Sequence, residues 1–372
     1  MKYYLIAGEA SGDLHGSNLM KSLKKEDTQA DFRFFGGDLM KSQGGTLVKH
    51  YREMAFMGIF DVIMNIRTIA GNLRFCVQDI LSWHPDVVIL IDYAGFNLKI
   101  AKFAKANNFK VFFYIAPKVW AWQESRVKLL RKFVDKLFVI FPFEIDYFKK
   151  RGIEVDYFGN PLNDAIAEFM LHKEDFETFV AKNSLEKKPI IALLAGSRKH
   201  EIERCLPPMI DVLKEFNSYQ FVVAGAPAIS RELYSKVIGN KNISVVFGQT
   251  YQLLSNAKAA VVTSGTATLE TALFKVPEVV VFKTGLLTYF IGKALVKIKF
   301  FSLVNIIMDA EIVKELLQFN LSKGISKELG KILNDEKYSL QMKNNFDEIE
   351  IKLGGSGVSG RMAKQMVKYL GK

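Results

Sequence analysis

The chain has 372 residues, of which 49% are hydrophobic and 24% charged, and a formal net charge of +12. That balance excludes a disordered chain and favours anionic partners: nucleic acid, an anionic membrane or phosphorylated substrates. The positive charge is not gathered into tails and no nucleic-acid-binding motif is visible, so nucleic acid is not expected as a partner. Cys76 and Cys205 stand far apart and form neither a disulfide framework nor a metal pair, which fits a reducing compartment.

Domain sizes of about 100–200 residues suggest two domains, and length alone allows a third. The run Lys2–Ile6 is too short for a signal peptide and reads as a first buried strand. No stretch has the length and purity of a transmembrane helix, so a membrane, if involved, is met at its surface.

Short apolar runs alternate with helical segments, the pattern of an α/β protein with parallel sheets. The first series is Tyr3–Ala7, Val87–Asp92, Lys110–Ile115 and Leu137–Ile140. A second follows the charged stretch Lys182–Lys188: Ile190–Ala195, Phe221–Ala224, Ser244–Phe247, Ala259–Thr263 and Val279–Phe282. Gly159-Asn160-Pro161 breaks the chain between them. The expected domains are 1–160 and 161–349, with a helix at about 350–372 returning to the first. Two doubly wound domains facing each other bind ligands at the carboxyl ends of their strands.

Five segments are candidates for chemistry. Gly8–Gly16 joins the first strand to a helix whose N-terminus can meet an anion; it also reads as a tight turn. Asp92 ends a strand, where a carboxylate can act as a base or cap the next helix. Ala116–Trp122, followed by Arg126, offers Trp120 and Trp122 as platforms for sugars or acyl chains, with Lys118 and Arg126 for phosphate. The plain reading is core aromatics beside a solvated basic helix. Gly196-Ser197-Arg198 follows an apolar strand, where backbone N–H groups and a guanidinium suit a diphosphate. Ser264-Gly265-Thr266 opens a helix and reads as a phosphate cradle, with Glu270 one turn on to hold a ribose; an ordinary capped helix is the alternative.

Two apolar-basic stretches can lie on an anionic bilayer or pack as core. Met57–Phe75 carries Ile59, Phe60, Ile63, Ile66, Arg67 and Arg74; Val279–Met308 has four lysines and no acid. No D-x-D, HExxH, GxSxG or P-loop pattern is visible, so no metal and no cofactor are expected.

In this order the motifs resemble the lipid-A-disaccharide synthases. The matching runs are Gly8–Asp13, Met57–Ile59, Val119–Trp122, Pro142–Glu144, Gly196–Arg198, Ser264–Glu270 and Val313–Gln318. The resemblance implies a GT-B-type architecture of two Rossmann-like domains facing a central cleft. It implies metal-independent, inverting transfer of 2,3-diacylglucosamine from UDP-2,3-diacylglucosamine to 2,3-diacylglucosamine 1-phosphate, giving a β-1,6-linked disaccharide phosphate. It also implies a cytoplasmic protein, peripheral on the inner face of the inner membrane of a Gram-negative bacterium; a homodimer is left open.

Carried onto this chain, the resemblance makes Asp92 the general base. Gly196, Ser197, Arg198, Ser264, Gly265, Thr266, Glu270, Asn305, Glu315 and Gln318 are expected around the UDP-sugar. Gly8, Ser11, Gly12, Asp13, Lys118, Trp120, Trp122 and Arg126 are expected around the acceptor. The chain departs from the family pattern at Gly95 (usually Asp), Ala116 (Ser), Asn160 (His), Ala195 (Pro) and Val304 (Pro). The rival readings are a UDP-N-acetylglucosamine 2-epimerase and a non-catalytic, membrane-docked nucleotide-sugar-binding protein.

Overall fold

A computed structural model describes residues 1–54, 65–120, 124–286, 289 and 299–371. The chain divides into two compact units, one of Met1–Ala165 with Leu353–Lys372 and one of Ile166–Lys352.

The first unit is a parallel sheet of seven strands flanked by helices. In chain order its elements are β1 (Lys2–Ala7), α1 (Ala10–Glu26), β2 (Asp31–Gly36), α2 (Asp38–Ser42), β3 (Thr46–His50), α3 (Ile66–Trp83), β4 (Val87–Ile91), α4 (Ala94–Ala106), β5 (Lys110–Tyr114), α5 (Arg126–Phe133), β6 (Lys136–Val139), α6 (Pro142–Lys149) and β7 (Val155–Tyr157). The strand order is β3-β2-β1-β4-β5-β6-β7, so the winding reverses between β1 and β4. Every residue of the Val-Val-Ile-Leu-Ile strand β4 is buried, as expected for a parallel strand covered on both faces. Tyr4, Ile6, Val88, Leu90, Val111 and Phe113 face one core layer.

Helix α7 (Leu162–Met170) leads out of this unit. Asp164, in its first turn, accepts the N–H groups of Gly357, Val358 and Ser359 at 2.6, 3.1 and 2.7 Å. These are the free donors at the start of the last helix, Val358–Tyr369, and a carboxylate there is doubly favoured by hydrogen bonding and by the helix dipole. The other end of that helix is fixed by Tyr369, whose ring meets Phe112 at 6.2 Å and whose hydroxyl donates to Asp156 at 3.0 Å. The C-terminal segment therefore completes the first unit.

The second unit repeats the scheme. It comprises α8 (Phe176–Lys182), β8 (Ile190–Leu194), α9 (Lys199–Ile210), β9 (Gln220–Gly225), α10 (Arg231–Ile238), β10 (Ser244–Phe247), α11 (Thr250–Ser255), β11 (Ala257–Thr263), α12 (Thr266–Leu273), β12 (Glu278–Phe282), α13 (Leu303–Met308), β13 (Lys314–Leu317), α14 (Leu321–Asn334) and α15 (Glu336–Lys352); the terminal helix Val358–Tyr369 is α16. Its parallel sheet runs β10-β9-β8-β11-β12-β13 and reverses between β8 and β11. The reversal places the Gly8 and Asp92 segments together in the first unit, and the Gly196 and Ser264 segments together in the second.

Candidate active site

In the first unit, β1 ends at Ala7 beside Ile91, the last residue of β4. Gly8 follows, and a Cβ there would lie 2.3 Å from the ring of Tyr93, so only glycine fits. Ser11 is exposed in the first turn of α1, and Gly12 is buried beneath it. Asp13, expected at the acceptor, is bonded to backbone in this structure. Its buried carboxylate accepts the N–H groups of Gly37, Leu39 and Met40 at 2.7, 3.0 and 3.1 Å. It shapes the turn from β2 into α2.

Asp92 is half-buried directly after β4, with φ of 44°, and its N–H donates to the Tyr114 carbonyl at 3.1 Å. Burial raises its pKa, against the opposing charge of Lys118 and a backbone hydrogen bond from Tyr93. A carboxylate whose proton affinity is raised is a better base than a solvated one. Lys118 is exposed and also acts on Glu144.

Trp120 is half-buried and is held by a residue outside the expected set. Its indole N–H donates to Glu144 Oε1 at 3.1 Å, and Phe143 meets its ring edge-on at 4.9 Å. Glu144 is fully buried, and its other oxygen accepts the N–H groups of Ile140 and Phe141 at 3.1 and 3.0 Å. Burial pushes its pKa up to about 7, against those hydrogen bonds and the Lys118 charge. Arg126 opens α5 and burial lowers its pKa. Trp122 lies outside the described residues, as do Ile59, Phe60 and Ile63. Of the Met57–Phe75 stretch, α3 carries Ile66, Arg67, Arg74 and Phe75 at the surface. The lysine-rich stretch is described only outside 287–288 and 290–298.

In the second unit, Gly196 has φ of 106°, and a Cβ there would strike the Glu201 carboxylate at 2.4 Å. The loop is curled around that carboxylate, which accepts the Ser197 and Arg198 N–H groups at 2.9 and 3.2 Å. These backbone donors, expected around a diphosphate, are bonded to Glu201 in this structure. The Arg198 side chain, 51% exposed, remains available to an anion despite a 3.4 Å contact with Glu201.

Ser264 directly follows β11, and its hydroxyl donates to the Phe301 carbonyl at 2.7 Å. Gly265 and Thr266 are exposed at the start of α12. Glu270 is half-buried one turn on, accepting the Tyr251 hydroxyl at 3.1 Å, and burial raises its pKa.

Asn305, Glu315 and Gln318, expected at the donor, are hydrogen-bonded within the second unit. Glu315 accepts from Phe301 N, Ser302 N, the Ser302 hydroxyl and the Asn305 amide, all at 2.8–2.9 Å. Asn305 Oδ1 accepts Ile312 N and Val313 N at 2.9 and 3.0 Å. Gln318 brackets Thr284, donating to its carbonyl at 2.9 Å and accepting its N–H at 3.0 Å. These residues brace the segment that holds Ser264. Glu144, which lies in a matching run but was given no role from sequence, and Glu201, which sequence reading missed, sit three positions into their helices, like the Glu of a capping box. The capping residues before these helices are Phe141 and Arg198 instead of Ser or Thr, so the usual signature is half absent.

The family model described as lipid-A-disaccharide synthetase matches residues 3–369. The chain belongs to the lipid-A-disaccharide synthase family. It is 33% identical over 375 residues to the lipid-A-disaccharide synthase of Geobacter metallireducens, covering 99% of this chain and 97% of that protein. The synthase of Coxiella burnetii (strain Dugway 5J108-111) is 32% identical over 365 residues, covering 97% of this chain and 96% of that protein. This synthase-family chain is thus a glycosyltransferase of lipid A synthesis.

Among solved structures it is similar to UDP-GlcNAc 2-epimerase from Neisseria meningitidis bound to UDP-GlcNAc. The TM-score is 0.71 at 14% identity, covering 99% of this chain and 100% of that one. The Methanocaldococcus jannaschii UDP-GlcNAc 2-epimerase in complex with UDP-GlcNAc and UDP gives 0.68 at 15% identity, covering 99% and 100%. At such identities the likeness concerns the fold, which is of the GT-B type. Among the described residues of this family member, no helix is long and apolar enough to cross a membrane.

Proposed function

We propose that the protein transfers 2,3-diacylglucosamine from UDP-2,3-diacylglucosamine to 2,3-diacylglucosamine 1-phosphate, with the second unit holding UDP and the first the acceptor. The observation that carries this reading is Asp92, a half-buried carboxylate of raised proton affinity at the reversal of the first sheet. Asp92 takes the proton of the acceptor 6-hydroxyl as its oxygen attacks the donor anomeric carbon. The anomeric C–O bond to the diphosphate breaks as the new glycosidic bond forms, and configuration inverts.

The departing UDP carries the charge that must be stabilised. The Arg198 guanidinium and the start of α12 at Gly265 and Thr266 supply that stabilisation electrostatically. Glu270 holds the ribose, fixed in place by Tyr251. Trp120, held by Glu144, and exposed Lys118 suit the acceptor's apolar and phosphate parts. Both substrates carry acyl chains, so the protein works at an anionic membrane surface, with Ile66, Arg67, Arg74 and Phe75 of α3 as contacts.

The test is incubation with UDP-2,3-diacylglucosamine, with and without the acceptor, for wild type and Asp92→Asn. Wild type is expected to release UDP and form a disaccharide phosphate only with acceptor present. Asp92→Asn is expected to lose about 10²–10⁴-fold in kcat while binding UDP as before. Turnover of the variant within about tenfold of wild type would require another base.

A further inference from the structure

Asn97 lies in the first turn of α4 and is fully buried. Its side-chain nitrogen is 2.8 Å from the Asp92 carbonyl, 3.3 Å from that of Ile91 and 3.3 Å from that of Ile6. All three neighbours are acceptors, so the amide must present its nitrogen to them. Two hydrogens serve three carbonyls, and the shortest contact is to Asp92. The amide oxygen on the other side is buried and has no hydrogen-bond partner among the described residues.

What the donor holds is unusual backbone. Asp92 and Tyr93 have φ of 44° and 47°, two consecutive non-glycine residues in the left-handed region. Such residues persist only where their surroundings over-determine them, and they gather at functional sites. Here the ties are visible. The Asp92 N–H reaches Tyr114 at 3.1 Å and its carbonyl reaches Asn97. The Tyr93 ring lies against Gly8, and its hydroxyl donates to the Met54 carbonyl at 2.8 Å.

The turn has a consequence for the carboxylate. Had β4 continued, Asp92 would point into one face of the sheet, opposite in sense to Ile91. The left-handed turn ends that alternation and leaves the residue half-buried at the sheet's carboxyl edge.

We propose that Asn97 is a positioning residue for the transfer reaction, its side-chain amide holding the Asp92 backbone in the left-handed turn that presents the carboxylate. This rests on the reading of Asp92 as the base. The link predicts dependence: with the Asp92 carboxylate gone, Asn97 has nothing left to position.

The experiment is a double-mutant cycle on the full chain: wild type, Asn97→Ala, Asp92→Asn and the double variant, each checked by thermal melting. A misplacement of about 1 Å can cost about 10²-fold in rate, so Asn97→Ala is expected to lose roughly that in kcat. Both KM values should stay within about threefold, since neither substrate is bound by Asn97. The double variant should be no slower than Asp92→Asn alone. If the two losses multiply, Asn97 acts independently of Asp92 and the inference fails. It also fails if Asp92→Asn is inactive while Asn97→Ala turns over like wild type. Full activity of Asp92→Asn would instead remove the base assignment itself, a distinct result. If Asn97→Ala does not melt cooperatively, the same cycle is read with Asn97→Ser, which keeps a shorter donor.

Discussion

The Asn305 side-chain amide donates to Glu315 Oε1 at 2.9 Å, and the same oxygen accepts the Ser302 hydroxyl at 2.8 Å. Both residues match family positions near the donor, yet each is bonded inward. Through Phe301, whose N–H reaches Glu315 and whose carbonyl accepts the Ser264 hydroxyl, the network ends at the start of α12.

Glu315→Ala should therefore destabilise the second unit and weaken UDP binding together. Removing one partner of a buried network strands the others, at about 1–3 kcal/mol per group. Calorimetry with UDP and a thermal melt check this. Weakened UDP affinity with an unchanged melt would mean that Glu315 contacts the nucleotide directly.

Glu278 opens β12 fully buried, with neither carboxylate oxygen bonded among the described residues. Burial raises its pKa well above the ordinary carboxylate value. The folded state thus holds a proton that the unfolded chain releases above about pH 4.3. Its contribution to stability is complete below that pH and declines as pH rises toward the folded pKa, by about 1.4 kcal/mol per pH unit. Glu278→Gln removes this dependence. Its melting temperature should gain on wild type between pH 5 and pH 7.5 by roughly a few degrees. Parallel pH profiles for the two proteins would show that Glu278 is ionised when folded.

Gly95 occupies the second position of α4, is exposed, and a Cβ there would meet nothing within 4 Å. Gly95→Asp should fold and be stabilised by about 0.5–1 kcal/mol, because it removes a helical glycine and adds an acid at the helix N-terminus. A second carboxylate three residues from Asp92 disfavours ionised Asp92. The acid limb of the kcat profile should move to higher pH. An unmoved limb would place the two carboxylates too far apart to interact.

Arg67 and Arg74 are exposed on α3. Each basic residue near an anionic bilayer contributes about 1 kcal/mol. Arg67→Ser with Arg74→Ser should weaken binding to phosphatidylglycerol vesicles about 30-fold, with the melt unchanged. Sedimentation with such vesicles measures it. Unchanged sedimentation would move the membrane contact elsewhere on the molecule.

The sequence by itself determined the fold class, because parallel strands covered on both faces are written as apolar runs. Val87–Ile91 and Ile190–Leu194 are buried throughout and legible at once. It also determined the family, since the ordered motifs follow strand ends that pattern alone can place. Strands β2, β3, β7 and β13 were not legible. In β2 the pattern is interrupted by Arg33, which belongs there only because Asp79 of α3 lies 2.6 Å away; β7 is three residues long. The motifs did not say which way their side chains turn. Asp13 serves backbone donors at 37–40, Glu144 serves Trp120, and Glu315 serves 301–305. A carboxylate takes whichever donors the folded chain brings within about 3 Å, and those lie 10 to 27 residues away along the sequence. Only the tertiary structure decided that Asp92 stays half-open beside a strained turn while Asp13, Asn305 and Glu315 close inward, because burial and partner supply are set by packing and not by local pattern.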